Sequence, residues 1–540
     1  MVHSPNEPSV SDINYENVGP DHTFAIMSKL VNLDYHTGAI IPDLAERWDV
    51  SQDGKVYTFY LARNVKFHDG HSCTSADVKW TIESILKEKG YYAAQLSGID
   101  KIEAPDDNTV KITLKQVDPS FMATMAIYYS PVILPKHLYE GTDVRKNPLE
   151  KKPIGTGPFK LQEWAEGSHM VLVRNDDYFK GRPYLEKVVI RFSQSWAVVL
   201  SAWRSGEIHM SMDYPPYAEV AVLEKVPEIQ VAKMPGSSIM HVDFNLNRKP
   251  FSDLKVRQAL AAAMDVDDIN RKVYAGYCTP FLGMYMPSVE WAYNPNAKQP
   301  SYDPQKAEQL LDEAGYKRGS DGIRFKMKFD AANEMQMPAL GEVLREQYRK
   351  IGVDVSLEVT DWGMFADRVF TKKDFDMAVS GGAIFPDPNL LARYIGAGQS
   401  RNCMGYSNPR IEELLKMGRA EVNQAERKKI YFEVQEILAR DLPRLSVVGW
   451  VNVHPFRKEF QGFWFQSEFG KTALWKSYGT VWWTAAPPPK PTVTTSTTTT
   501  VKPVEEFPTS AILIGAVVVA LAIGVYYWNR KGKSKASSRT

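Results

Sequence analysis

Cysteine is nearly absent. Three residues, Cys73, Cys278 and Cys403, stand far apart in a chain of 540. That excludes a disulfide framework and a multi-cysteine zinc site, while one bridge stays open. Net charge is equally scant, +1 from 65 basic and 64 acidic residues, so no global basic field is available to hold nucleic acid. The 10 histidines are scattered, and neither HExxH nor Cys/His ligand spacing accompanies His68-Asp69-Gly70-His71. Walker A and GxSxG patterns are missing. Gly155-Thr156-Gly157 is a fragment of a dinucleotide fingerprint, but Pro158 follows and the third glycine is lacking, so it reads as a tight turn. No catalytic set, no metal and no cofactor is predicted. The opening MVHSPNEPSV has no basic n-region and no apolar stretch, and so no visible signal peptide.

What is present is a large, ordinary globular composition with 44% hydrophobic and 24% charged residues. That excludes wholesale disorder and a polytopic membrane protein. The length is enough for several domains. Aromatic residues are plentiful, with 13 Trp, 26 Tyr and 23 Phe. The near-zero charge is an average over unlike parts. Residues 511–540 hold Arg530, Lys531, Lys533, Lys535 and Arg539 and no acid, which leaves 60 basic against 64 acidic residues in 1–510. Ala511 to Trp528 is uncharged and apolar on every face. At 1.5 Å per residue it covers roughly 27 Å, the thickness of a bilayer core. It reads as a membrane span, with a buried core helix as the alternative. Tyr526, Tyr527 and Trp528 sit at one end and the basic cluster follows, which predicts a single-pass protein with residues 529–540 cytoplasmic and residues 1–510 outside. Residues 485–510 are dominated by Pro and Thr. They read as an extended stalk at about 3.1 Å per residue, with or without O-linked sugar. A body outside the cell and no signal peptide together predict that the natural N-terminus is missing or trimmed.

Residues 1–484 mix strands and helices. Val56 to Leu61 follows the turn Gln52-Asp53-Gly54, and Asn108 to Leu114, Val188 to Phe192 and Val353 to Val359 are further strands. Thr74 caps a helix that has Asp77 in its first turn. Asp253–Met264, Asp303–Ala314, Met337–Ile351, Pro409–Met417 and Ala425–Ala439 are amphipathic helices, two of them stopped by Gly315 and Gly352.

An ordered series of short motifs runs through this body. Ile41 to Trp48 (IPDLAERW) leads to Val65-Lys66-Phe67-His68-Asp69-Gly70 and Thr74-Ser75-Ala76-Asp77-Val78. Pro153 to Phe159 (PIGTGPF), Trp203 to Ile208, Phe244-Asn245, Pro250-Phe251-Ser252-Asp253, Val256 to Leu260, Lys306 to Tyr316 (KAEQLLDEAGY) and Pro386-Asp387-Pro388-Asn389 follow. In this order and spacing they resemble the family-5 extracytoplasmic solute-binding proteins, the peptide, nickel and oligosaccharide receptors of ABC importers. The resemblance covers nearly all of residues 1–484. With its C-terminal anchor the chain is similar to archaeal members. The resemblance implies an α/β, two-lobed periplasmic-binding-protein-like fold with an extra domain II, closing on ligand by a hinge. Lobe one takes residues 1–235, with 30–150 as the extra domain, and is completed by 450–484. Lobe two takes 236–449. Such a receptor is a monomer, is not an enzyme, and works with a small-molecule ligand and ABC permease subunits in the membrane. A cell-surface hydrolase is the remote alternative and predicts a nucleophile–base pair or paired carboxylates in the cleft.

Peptide-binding members hold the ligand's amino group with an aspartate just before an Asp/Glu-Pro pair. Counting back from Asp387-Pro388 that position is Ile384, and counting forward from Phe375-Asp376 it is Phe385. Neither is acidic. Losing such a partner costs about 2–5 kcal/mol, or roughly 30- to several thousand-fold in affinity. A neutral ligand loses nothing, which tilts the expected ligand to an oligosaccharide, with an oligopeptide or dipeptide as the alternative. Sugar rings stack on aromatic faces, which makes Trp362, Trp450 and Tyr285 candidate ligand contacts beside Ile384 and Phe385, with Trp291 and Trp203 behind them. Asn245, at the end of a crossover strand, is a candidate polar contact.

Overall fold

The computed structural model describes residues 1–463 and 482–483, except 5–22, 35–38, 89–92, 127–129, 194, 212–214, 286, 288, 335, 384–386 and 400. The chain divides into two units, Met1–Pro487 and Pro488–Thr540. All of the second lies outside the described residues. The predicted stalk, the span from Ala511 to Trp528 and the basic tail are therefore not described. Among the described residues no helix is long and apolar enough to cross a membrane.

The first unit is built on an 11-stranded mixed sheet. Its central pair is the two longest strands, Ile229–Phe244 and Arg444–Arg457, which run antiparallel. On one side lie Met377–Ala383, Phe325–Ala332 and Val353–Thr360. On the other lie Met210–Ser211, Val2–Ser4, Lys187–Phe192, His169–Arg174 and Phe159–Ala165. The central pairing is interrupted. It runs from Ile229 opposite Arg457 to Pro235 opposite Val451, then resumes at Ile239 opposite Gly449. An extra stretch in one strand of an antiparallel pair bends and twists it. The expected lobe boundaries, 235/236 and 449/450, fall in this interruption.

Two large apolar cores flank it. One gathers residues between Tyr217 and Val453, the other residues between Val2 and Met210 together with Phe456, Phe460 and Phe463. The second core also holds a separate antiparallel sheet in the order Ala45–Val50, Val56–Leu61, Thr109–Leu114, Ile99–Asp106. Thr109–Leu114 alternates between half-exposed and buried side chains, the period-two pattern of a strand with one face covered.

Local chemistry sets the ends of these elements. The helix Ser75–Lys87 starts on a capping box in which Thr74 Oγ1 accepts from Ala76 N at 3.3 Å and Asp77 Oδ2 accepts from Thr74 N at 2.8 Å. Pro304–Glu313 and Met337–Lys350 are followed by Gly315 at φ +85° and Gly352 at φ +80°, a left-handed geometry that glycine adopts without a Cβ clash. The turn at Gly155-Thr156-Gly157 needs glycine for another reason. Gly157 N donates to Ile26 O at 2.8 Å, and a Cβ on Gly157 would stand 2.5 Å from the Ile26 carbonyl carbon and 2.7 Å from Ala25 O. Those are backbone atoms and cannot swing away. Gly157→Ala is expected to cost about 1–3 kcal/mol in urea-unfolding free energy, as overpacking does elsewhere. An unchanged midpoint would refute the close approach.

Candidate ligand-binding site

Parts of the chain distant in sequence meet at two places, the first of them within the core between Tyr217 and Val453. Beside the interrupted strands, Trp450 lies edge-on to Tyr217 and Tyr274, with ring centroids 6.0 and 6.1 Å apart. Tyr217 donates its hydroxyl to Val451 O at 2.7 Å. Such pairs stabilise beyond their burial and fill the pivot. The other meeting point is polar. From the stretch of chain that builds the second core, Asp118 Oδ2 accepts from Arg419 Nε at 3.0 Å, and Asp118 Oδ1 accepts from Ser120 Oγ at 2.5 Å. Ser120 Oγ in turn accepts from Asn389 Nδ2 at 3.2 Å, and Asn389 Oδ1 accepts from Tyr431 at 3.3 Å. Tyr431 belongs to the core between Tyr217 and Val453, and Arg419 and Asn389 lie in the same stretch of chain.

This chain of hydrogen bonds ends next to the segment where the ligand-anchoring position was expected. Asp387 caps the short turn Pro388–Leu391 by accepting from Asn389 N at 2.9 Å. Its two oxygens also take Arg427 Nη1 and Nη2 at 2.9 and 2.8 Å, with both side chains buried. The fork geometry of guanidinium on carboxylate fixes both groups. Asp387 is thus the structural Asp-Pro residue, and Ile384 and Phe385 just before it lie outside the described residues.

Of the other expected contacts, Trp362 alone is exposed. It is 41% accessible at the start of the helix Trp362–Ala366, which Asp361 caps by accepting from Met364 N at 3.0 Å. Its ring leans on Phe365 and Phe370, at 5.6 and 6.3 Å. Val359 and Met364 extend the exposed apolar surface.

Three of the expected contacts are buried. Asn245 is buried, and its carboxamide is spent on the backbone. It donates to Lys373 O and Phe375 O at 3.0 and 2.9 Å and accepts from Asn247 N at 3.2 Å, so it holds the turn before Met377–Ala383. Tyr285 lies in the core between Tyr217 and Val453, where burial first and Asp387 second push its phenol well above the usual range. Trp450 packs the pivot. Of the reserve candidates, Trp203 is wholly buried, and Trp291 is half-buried against Tyr431 with the Arg427 guanidinium 5.3 Å over its ring.

His68 also has a structural role. Its Nδ1 accepts from Gly155 N at 3.3 Å, so Nε2 carries the proton and donates to Gly157 O at 3.0 Å. Burial lowers its pKa to about 4 and keeps it neutral at this turn. A serine–histidine contact does occur, Ser168 Oγ to His169 Nδ1 at 2.9 Å, but between chain neighbours on an exposed hairpin turn.

Nothing in the local pattern marks Asp330, yet it is a buried acid. Its side chain is 3% exposed, and Arg368 Nη1 approaches Oδ1 at 3.2 Å. Oδ2 has no partner among the described residues. Burial pushes its pKa up to about 6 against the pull of Arg368, and Glu358 and Asp376 add to the rise.

Known proteins share this architecture. The family described as Bacterial extracellular solute-binding proteins, family 5 Middle matches residues 39–402. The dipeptide-binding protein of Escherichia coli is 27% identical over 469 residues, 81% of this chain and 86% of that one. The structure of DppA from Helicobacter pylori in complex with the peptide STSA is 29% identical, with a TM-score of 0.77 over 89% of this chain and 97% of that one. The oligopeptide-binding protein AppA of Bacillus subtilis in complex with a nonapeptide is 25% identical, with a TM-score of 0.79 over 89% and 98% of the two chains.

Proposed function

The chain belongs to family 5 of the bacterial extracellular solute-binding proteins, and from that premise we propose that it is a membrane-tethered receptor that captures peptides between its lobes for an ABC permease. The observation that carries the reading is the polar bridge between the lobes. An aromatic cluster of Trp450, Tyr217 and Tyr274 packs at the interrupted strands. Away from it the lobes are bridged by Asp118, Ser120, Asn389 and Arg419, residues that hinge opening would part. Closure of this kind takes ligand out of water and lets a few polar groups select it.

Peptide takes precedence over the oligosaccharide expected from the missing acid at Ile384 and Phe385. Dipeptides or peptides figure in the names of the relatives above, and Trp362 offers its exposed ring to an apolar side chain as readily as to a sugar. The apolar segment from Ala511 to Trp528 would anchor the receptor, with Arg530 to Arg539 on the cytoplasmic side. Calorimetry of the full chain in detergent, against mixed di- to pentapeptides and against cello- and malto-oligosaccharides, tests the ligand class. Saturable heat is expected with peptides and none with sugars. Tight sugar binding with silent peptides would reverse the reading.

A further inference from the structure

We propose that Asp118 and Arg419 form an electrostatic clasp that sets how often the receptor stands closed, and so scales its affinity for every ligand by one common factor. The inference rests on the peptide-receptor reading and names a control on closure rather than a contact with ligand.

Each half of the clasp is fixed by its own surroundings. Asp118 follows the strand Thr109–Leu114 of the small four-stranded sheet. Its Oδ1 accepts from Ser120 N at 3.0 Å, and its carbonyl accepts from Phe121 N at 3.0 Å and from the Tyr57 hydroxyl at 3.4 Å. Tyr57 and Phe121 pack with ring centroids 4.7 Å apart in the second core. On the other side, Arg419 stands in the last turn of the helix Pro409–Ala420. Tyr431 presses on the residue before it, since a Cβ on Gly418 would lie 2.5 Å from the phenol oxygen. Gly418 O also accepts from Arg427 Nε at 3.0 Å, and Arg427 is forked onto Asp387. Neither charged group needs to reorganise when the halves come together.

The contact itself is made by protein groups. Arg419 Nε and Nη2 reach one oxygen, Asp118 Oδ2, at 3.0 and 2.9 Å. Hydrogen bonds between ionised partners are about twice as strong as neutral ones. Gly98 lies alongside, where a Cβ would stand 3.4 Å from Arg419 Nη2. Ser120 takes the other carboxylate oxygen and accepts from Asn389 Nδ2. Both oxygens of Asp118 are thus engaged by the chain, and no ligand atom is needed to complete the clasp. Its contribution to the closed form is then the same whatever is enclosed. A ligand's apparent affinity scales with the population of the state that holds it, so strengthening or releasing the clasp moves all ligands together. The Arg419 side chain is 38% exposed, which leaves the pair open to screening by salt.

The test reads closure and binding separately on the full chain in detergent. Cys73, Cys278 and Cys403 are all buried, so spin labels can be directed to exposed positions by Asp107→Cys and Ser320→Cys, one on each side of the clasp. Distance measurements between the labels resolve closed from open molecules. Arg419→Ala is expected to lower the closed population, and to weaken a dipeptide and a pentapeptide alike by about two- to fivefold in calorimetry. Arg419→Glu sets two carboxylates against each other and is expected to weaken both by about tenfold. Raising salt from about 0.05 to 0.5 M should move the wild type the same way and Arg419→Ala much less. An Arg419→Glu chain with unchanged distances and unchanged affinities would overturn the clasp and leave the peptide receptor standing. Unequal losses for the two peptides would overturn it as well, because Arg419 would then be touching ligand. Distances that respond while both peptides stay silent would overturn the peptide reading and leave the clasp standing.

Discussion

Asp387→Ala is expected to lower the unfolding free energy by about 3–5 kcal/mol, the cost of stranding one member of a buried ion pair. The partner left behind, Arg427, is 6% exposed. It would retain Gly418 O, which its Nε meets at 3.0 Å, and the faces of Trp291 and Tyr431, but none of these supplies a negative charge. The same substitution removes the cap on Pro388–Leu391 and so loosens Asn389, which carries the contact to Ser120. Two consequences should separate in measurement. The urea midpoint should drop, and ligand affinity at temperatures well below the transition should also fall, because the link from lobe two to Ser120 is no longer held in place. Arg419→Ala tests the second consequence without the first. Its ion pair with Asp118 is partly exposed and weak in stability terms, so a shifted affinity with a nearly unchanged midpoint is its expected signature. Asp387→Ala with an unaltered midpoint would mean that the bidentate pair does not form.

Much of the fold was legible because its signals are local. Thr74 and Asp77 announce their helix by capping chemistry, Gly315 and Gly352 mark helix ends, and the alternation in Val353–Thr360 reads directly as a strand. The chain-long order of motifs identified the family. The site was less legible, since whether a residue faces ligand depends on what packs over it. Asn245 ends a crossover strand as expected, but the carbonyls of Lys373 and Phe375 arrive from far along the chain and consume its amide. Tyr285 and Trp450 have the aromatic character of a sugar platform, yet the surrounding helices enclose both. Asp330 hides in an alternating run, FKMKFDAA, where an acid on the solvent-side phase reads as an ordinary exposed residue. It is buried in the fold, and Arg368, distant in sequence, pairs with one of its oxygens. Asp118 and Arg419 are similarly silent until two lobes meet.

Asp243→Ala is expected to be as costly, about 3–5 kcal/mol, and it bears on the hinge. Asp243 and Arg444 face each other in register on the two central strands, just on the lobe-two side of the interruption. The Arg444 Nε to Asp243 Oδ1 distance is 3.1 Å, and the side chains are 2% and 12% exposed. Asp243 Oδ2 also accepts from Ser380 Oγ at 2.7 Å, which ties in the strand that runs toward residue 384. Without the carboxylate, Arg444 would be left against His241, whose Nε2 lies 3.3 Å from Arg444 Nη1. That imidazole is kept neutral by burial first and by Arg444 second, so it can accept a hydrogen bond but cannot supply charge. The penalty should therefore come from the stranded cation rather than from lost packing. The double variant Asp243→Ala/Arg444→Met separates the two causes. Replacing a whole buried pair by apolar side chains is often neutral or stabilising, so the double variant should recover most of the lost unfolding free energy in urea titrations. If it remains as unstable as the single variant, the pair acts by shape rather than by charge. If it recovers stability but loses ligand affinity, the ion pair is what keeps the two crossing strands in the register from which the lobes close.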